Sequence, residues 1–138
     1  MFHMDYQVKG EDVNDYMTME GHAYFSYSLR HIYNFLFQLG YSRQKLNRLK
    51  IHLQEQKSHF EMHKPLMFGN NFKIFLSIGE SNDNARLFEV KNRFLNSKNE
   101  LCAVITSENV LNETKRDGTS HNLSKKILAH FLEIEAIS

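Results

Sequence analysis

The sequence predicts an α+β domain in which an antiparallel sheet of about five strands curls around one long helix. One stretch with helical spacing carries apolar residues on nearly all its sides, and several segments alternate between apolar and polar residues and are joined by short turns. A helix that is apolar almost all round needs partners on most of its surface, and a curved sheet supplies them. Short connections make successive strands antiparallel neighbours.

The long helix is predicted within residues 19–40, with its regular pattern starting at Phe25. The apolar positions follow the spacing of one helical face, namely Phe25, Leu29, Ile32, Tyr33, Leu36 and Leu39. Three aromatic residues add bulk on other sides, namely Tyr27, Phe35 and Phe37. Gly40 ends the helix, and Gly21 and His22 are expected in an irregular approach before its first turn. The free N–H groups at a helix start make that end the expected place of chemistry.

The strands are predicted from alternating patterns before and after the helix. They are expected at residues 2–9, 49–62, 72–78, 88–94 and 101–107. The polar clusters at 79–84 and 96–99 provide turns, and Pro65 ends the second strand. Residues 11–20 and 41–45 lack a clean period and are expected to be connections.

The chain is expected to form a domain over residues 1–112, followed by a linker and a short C-terminal helix over 113–138. Residues 113–122 are polar and contain Gly118, which indicates a linker. The apolar residues after it follow helical spacing, namely Leu123, Ile127, Leu128, Phe131 and Ile134. Either Asn122 or Ser124 would cap this helix.

Composition excludes several classes of function. The net charge is +1, and Lys and Arg are scattered without a run of five like charges, which argues against a nucleic-acid partner. No apolar run of 18 residues exists, and the N-terminal residues lack a basic region followed by an apolar one. We therefore expect a soluble, cytoplasmic protein without membrane contact. Cys102 is the only cysteine and is expected to be a packed residue.

A strand, a loop ending in Gly21-His22, a buried helix ending in Leu39-Gly40 and an antiparallel meander resemble the hot-dog fold of acyl-CoA thioesterases. The resemblance is to the 4-hydroxybenzoyl-CoA thioesterase-like group and covers about residues 2–111. It implies hydrolysis of an acyl-CoA substrate without a metal or other cofactor. It also implies a homodimer formed by pairing of exposed sheet edges, with a tetramer left open.

The resemblance also implies where the catalytic residues lie. The family's catalytic Asp stands four residues before the His of this motif, and Thr18 occupies that position here. A longer loop would give the role to Asp15, which we rank first, and Glu20 is the next candidate. The carboxylate would act as general base or nucleophile. The N–H group near Phe25 would stabilise the oxyanion.

Further residues are assigned to the substrate by the same resemblance. Thr18 would bond a water or a carbonyl group, and His22 would orient the loop or contact the substrate. The expected substrate-binding residues are Gly21, Tyr24, Tyr27 and Tyr33. The tyrosines would suit a tunnel for a medium-length or aromatic acyl chain. The basic residues available to the CoA phosphates are Lys64, Lys73, Lys91 and Arg93.

Two other functions stay open at this point. A non-catalytic hot-dog module that binds an acyl-CoA or a related thioester is favoured by Thr18 at the usual Asp position. The third hypothesis is an α+β dimerisation protein with no small ligand. His59, Glu61 and His63 would share one strand face, but exposed polar strand faces produce that spacing by chance, so we expect no metal site.

Overall fold

The computed structural model describes residues 1–81, 87–114, 120–122 and 129–130. The elements within these ranges are β1 (Phe2–Gln7), α1 (Gly21–Gln38), α2 (Arg43–Arg48), β2 (Ile51–Met62), β3 (Asn71–Glu80), β4 (Phe88–Asn96), β5 (Leu101–Thr114) and β6 (Ser120–Asn122). A 3₁₀ turn, Gly10–Asp12, follows β1. The helix predicted after residue 122 falls outside the described residues, apart from Ala129 and His130, which are helical.

The strands form one antiparallel sheet in the order β1-β3-β4-β5-β2, which confirms the predicted sheet of about five strands. β1 and β2 lie at its two edges. The strand β6 pairs with residues 112–114 of β5. The sheet therefore continues past the expected domain boundary at residue 112 into the segment expected to be a linker.

The helix α1 packs on one face of this sheet, as the sequence predicts. Its buried residues are Ala23, Tyr24, Tyr27, Ser28, His31, Ile32, Phe35 and Leu36. Alternate residues of β3 and β4 are buried beneath it, among them Phe72, Ile74, Leu76, Phe88, Val90 and Phe94. The buried side is rotated from the predicted one, because Phe25 and Leu29 are 37% and 42% exposed.

Two of the differences from the sequence prediction have a clear physical reason. α1 begins at Gly21, four residues before Phe25. The sequence pattern misses this start because Gly21 and His22 are not apolar. The short helix α2 lies where a polar connection is expected. Ser42 caps it, its side chain accepting a hydrogen bond from the Lys45 N–H at 3.1 Å, and only Leu46 is buried in it. A helix with a single buried residue produces no repeating apolar pattern, so the sequence shows no sign of α2.

The core consists of two apolar clusters separated by a polar layer. Tyr24, Phe72 and Phe94 belong to one cluster, and Ile32 and Phe88 belong to the other. The polar residues that lie between them along α1, β4 and β5 are Ser28, His31, Asn92, Ser107 and Asn109, all buried. The Asn92 side-chain amide donates to the Ser28 hydroxyl at 2.7 Å and to the Ser28 carbonyl at 3.2 Å. These bonds tie the middle of α1 to β4.

His31 is the titratable member of this polar layer and is fully buried. Its Nδ1 lies 2.8 Å from the Tyr6 hydroxyl, which also accepts a hydrogen bond from the Asn34 amide at 3.1 Å. Burial lowers the pKa of His31 from 6.5 to about 4. The imidazole is therefore neutral in the folded protein at neutral pH.

We expect the free energy of unfolding to fall by about 3 kcal/mol as the pH drops from 6.5 to 4, because the unfolded chain binds a proton there that folded His31 does not. The contribution is fully present above pH 6.5 and lost as the pH falls to the folded pKa. Urea unfolding at several pH values measures it. The His31→Gln variant should lose most of this slope, whereas His59→Gln, at an exposed histidine of β2, should keep it. If the unfolding free energy of His31→Gln depends on pH as strongly as that of the native chain, His31 is not the cause of the stability loss at low pH.

Candidate active site

The start of α1 presents free backbone donors. Glu20 is the N-cap residue, and its carbonyl accepts bonds from the N–H groups of Ala23 and Tyr24 at 3.0 and 3.3 Å. Gly21 and His22 precede these residues, so the helix offers their N–H groups no carbonyl partner. The helix dipole adds partial positive charge at the same point. This end of α1 can therefore stabilise a negatively charged oxygen.

The predicted oxyanion donor at Phe25 must be corrected. Because α1 begins at Gly21, the Phe25 amide lies in the second turn, where helix geometry pairs it with the Gly21 carbonyl. The donors available to a ligand are instead those of Gly21 and His22. The Phe25 ring lies 5.7 Å from the Phe60 ring, between α1 and β2.

A carboxylate and an imidazole contact each other at this helix start. Glu20 Oε2 meets His22 Nε2, and the two side chains are 40% and 68% exposed. If Nε2 carries the proton and donates it to the carboxylate, Nδ1 is left as a free acceptor. The structure thus brings together three of the predicted site residues, namely Glu20, Gly21 and His22.

Asp15 lies elsewhere, at the tip of a tight turn. Val13 and Met19 pair across the base of this turn, and the Asn14 N–H donates to the Thr18 carbonyl at 3.0 Å. The Asn14 side-chain oxygen accepts the N–H groups of Tyr16 and Thr18, at 2.9 and 3.2 Å. The structure places Asp15 in solvent beyond this closed turn.

Thr18 contacts a neighbouring loop. It forms a β-bridge with Met67, and its hydroxyl donates to the Met67 sulfur at 3.6 Å. The N–H groups of Met19 and Phe68 complete this connection through bonds to the carbonyls of Leu66 and Met17 at 2.8 Å each. Thr18 therefore joins the turn to residues 66–68.

Asp12 is a structural residue of the site that sequence reasoning missed. Its Oδ2 accepts the Tyr27 hydroxyl at 2.6 Å and the Lys9 N–H at 2.8 Å, and its carbonyl accepts the Glu20 N–H at 3.0 Å. Asp12 thus joins the end of β1, the N-cap and the middle of α1. The available signal was an acid three residues after Lys9, the spacing of a capping box.

Two of the tyrosines predicted to bind substrate make hydrogen bonds within the chain. Tyr24 and Tyr27 are buried, and the Tyr24 hydroxyl accepts the Leu66 N–H at 3.1 Å. The Tyr27 hydroxyl is bound by Asp12 and also lies 3.0 Å from the Gln7 carbonyl. Burial and the neighbouring carboxylate raise the pKa of Tyr27 well above its usual range, so it remains a donor.

The basic residues expected near CoA phosphates do not converge. Lys64 pairs with Glu100, and Lys73 Nζ lies 3.8 Å from an Asp5 oxygen. Lys91 and Arg93 alternate with the buried residues of β4 and therefore lie on the sheet face away from α1.

Two other sets of reactive groups lie within the described residues, the Cys102 thiol and the His59–Glu61–His63 cluster. Burial raises the pKa of the Cys102 thiol, which disfavours its thiolate. Glu61 lies 3.6 Å from both His59 and His63, yet no group of three or more potential ligands in the described part of the chain is arranged to hold a metal ion. Nor does any helix in that part have the length and apolarity to cross a membrane.

Comparison with solved structures identifies the fold. A gentisyl-coenzyme A thioesterase superposes with a TM-score of 0.75 at 19% identity, over 88% of this chain and 94% of that one. A 1,4-dihydroxy-2-naphthoyl-CoA thioesterase from Synechocystis gives 0.81 at 13% identity, over 97% of both chains. A Staphylococcus aureus protein solved in complex with CoA gives 0.79 at 12% identity, over 96% of this chain and 82% of that one. The chain therefore has the hot-dog fold that its sequence resembles.

The sequence comparisons add no relative. No family model and no curated protein matches the chain.

The Tyr27→Phe variant tests the contact that fixes the helix start. We expect it to lower the free energy of unfolding by about 1–3 kcal/mol, because it leaves the Asp12 carboxylate without its side-chain donor. Urea unfolding of both proteins measures the difference. Tyr16→Phe is the matched control, since Tyr16 is 84% exposed and should change stability by less than about 0.5 kcal/mol. If Tyr27→Phe and Tyr16→Phe lower the free energy of unfolding equally, the bond to Asp12 makes no specific contribution to stability.

Proposed function

We propose that this chain is an acyl-CoA thioesterase, which hydrolyses a thioester to free CoA and a carboxylic acid. The observation that carries the proposal is the start of α1, where the free N–H groups of Gly21 and His22 lie beside the Glu20–His22 pair. The shared fold supports the substrate class, because two of the similar structures are described as CoA thioesterases and a third contains CoA. We place the activity in the cytoplasm.

The reaction would proceed at the amide end of the helix. The thioester carbonyl oxygen accepts the N–H groups of Gly21 and His22, which stabilise the oxyanion as it forms. His22 Nδ1 removes a proton from water, and the resulting hydroxide attacks the carbonyl carbon. The C–S bond then breaks, and the leaving thiolate takes the proton from His22. Glu20 orients the imidazole and stabilises its charged form.

Asp15 remains the second candidate for the carboxylate. Its exposure at the tip of the turn supports a role in which it reaches a substrate bound across two subunits. Glu20 has the stronger support in this chain, because it adjoins both the free N–H groups and His22.

The proposed enzyme is at least a homodimer. β2 is an edge strand of 12 residues, and such an edge leaves a row of backbone groups that a second copy can pair with. Phe25, Leu29 and Met62 are exposed apolar residues on α1 and β2 that a partner could cover.

Light scattering of the purified protein should therefore give at least twice the mass of one chain. Pairing of β2 edges is the physical reason for this expectation. A monomer mass at micromolar concentration would contradict the dimer.

The observation that favours a second candidate, a non-catalytic module that binds a CoA thioester, is Thr18 at the position of the expected Asp. Thermal stabilisation by CoA without turnover would select this function.

Release of free CoA from a panel of acyl-CoA substrates tests the proposed activity. We expect Glu20→Gln and His22→Gln each to lower kcat by about 100-fold or more, since each removes part of the general base. Asp5→Asn and His59→Gln are matched controls, at an exposed carboxylate of β1 and an exposed histidine of β2, and both should keep full activity.

The outcomes separate the hypotheses. Loss of activity in Asp15→Asn with full activity in Glu20→Gln would transfer the role to Asp15. Full activity in both variants would refute both carboxylate assignments. No CoA release from any substrate, together with no stabilisation by CoA, would favour a dimerisation protein without a small ligand.

A further inference from the structure

A polar pocket lies at the far end of α1 from the candidate active site. It has a volume of about 190 Å³ and is formed by the second half of α1, the helix α2 and the beginning of β2. Its polar groups come from Tyr33, Arg43, Asn47 and His52. Leu46 and Ile51 are buried and supply an apolar floor. None of these residues belongs to the proposed catalytic group.

Arg43 is held in this pocket by an aromatic ring. Its guanidinium carbon lies 4.1 Å from the centroid of the Tyr33 ring, a cation–π contact. Stacking on a ring face leaves the N–H groups at the edge of the guanidinium available to a ligand. The Asn47 amide and the His52 imidazole line the same pocket, so all three side chains can supply donors to a phosphate there.

The charge of the surrounding chain favours an anion. Residues 21–54 contain no Asp or Glu, and they include five basic residues, Arg30, Arg43, Lys45, Arg48 and Lys50. Strand pairing does place an acidic residue beside this region, because Glu113 of β5 pairs with Ile51. Glu113 does not line the pocket. Such a field attracts phosphate groups to the pocket.

We propose that this pocket binds a phosphate group and that, in the proposed thioesterase, it holds the nucleotide end of CoA. The second part rests on the proposed function. Tyr33 follows Gly21 by twelve residues, about 18 Å along α1 at ~1.5 Å per residue. The pantetheine arm of CoA and the pyrophosphate that follows it are together long enough to extend from a thioester at the helix start to this pocket.

Calorimetric titration of the full chain with adenosine 3′,5′-bisphosphate and with inorganic phosphate tests the proposal. We expect Arg43→Gln to weaken binding of the bisphosphate by about tenfold or more, because a charge-assisted pair is lost. Arg43→Lys should keep part of the affinity, since lysine retains the positive charge but lacks the planar guanidinium group with its paired N–H donors. Raising the ionic strength should weaken binding to the native chain.

Arg48→Gln is the matched control. Arg48 lies in the same short helix and carries the same charge, but it does not line the pocket, so its loss should change the affinity by less than about twofold. Urea unfolding checks that each variant is folded. If Arg43→Gln fails to fold, His52→Gln replaces it and should also weaken binding. Equal effects of the Arg43 and Arg48 substitutions, or no binding of either probe, would overturn the phosphate site.

Binding of CoA and of S-acyl-pantetheine distinguishes the two sources of phosphate. Weaker binding of CoA to Arg43→Gln, with unchanged binding of S-acyl-pantetheine, supports the nucleotide end of CoA. Unchanged CoA binding with loss of inorganic phosphate binding would overturn that part and leave a site for free phosphate. These binding measurements do not depend on turnover. If the Glu20–His22 pair proves not to be catalytic, the activity assay shows it and the binding results still stand.

Discussion

The burial of α1 against the sheet is the constraint on which the rest of the structure depends. Large side chains from one side of the helix fill two apolar clusters, and the bond between Ser28 and Asn92 fixes the helix between them. A close-packed core leaves such a helix little freedom to slide or rotate. Both ends of α1 therefore have defined positions relative to the sheet.

The first turns of α1 use this rigidity to hold two loops in place. The hydroxyl groups of Tyr24 and Tyr27 extend from the core to Leu66 and Asp12. Asp12 in turn binds the N-cap residue, Glu20, through its carbonyl. The helix start is consequently supported by buried contacts, while its own N–H groups stay open to a ligand. Support of this kind is what a preorganised oxyanion site requires.

The sequence predicted those parts of the fold that repeat at a regular period. Alternation revealed β3 and β4, and three- and four-residue spacing revealed most of α1. The start of α1 was misplaced because Gly21 and His22 carry no apolar signal. The buried side was misjudged because periodicity treats every apolar residue as core, whereas Phe25 and Leu29 are exposed in the single chain.

The site was harder to predict, since its contacts join residues distant in sequence. The bond of the Tyr27 hydroxyl to Asp12 could not be predicted, because nothing in the sequence connects two residues fifteen positions apart. The exposed position of Asp15 could not be predicted either, because spacing alone cannot show that the Asn14 side chain closes this turn. The sequence does place Glu20, Gly21 and His22 together, because they are adjacent in the chain. Residues that are adjacent in the chain can be placed together from the sequence, whereas tertiary contacts cannot be predicted in this way.

The position of Glu20 also bears on how the two side chains would share the chemistry. The Glu20 carboxylate already contacts His22 Nε2, so it is placed to hold the imidazole. His22 keeps a second ring nitrogen, Nδ1, that can accept a proton from water. The arrangement therefore favours His22 as the base and Glu20 as the residue that orients it, with the same helix end serving both the carboxylate and the oxyanion.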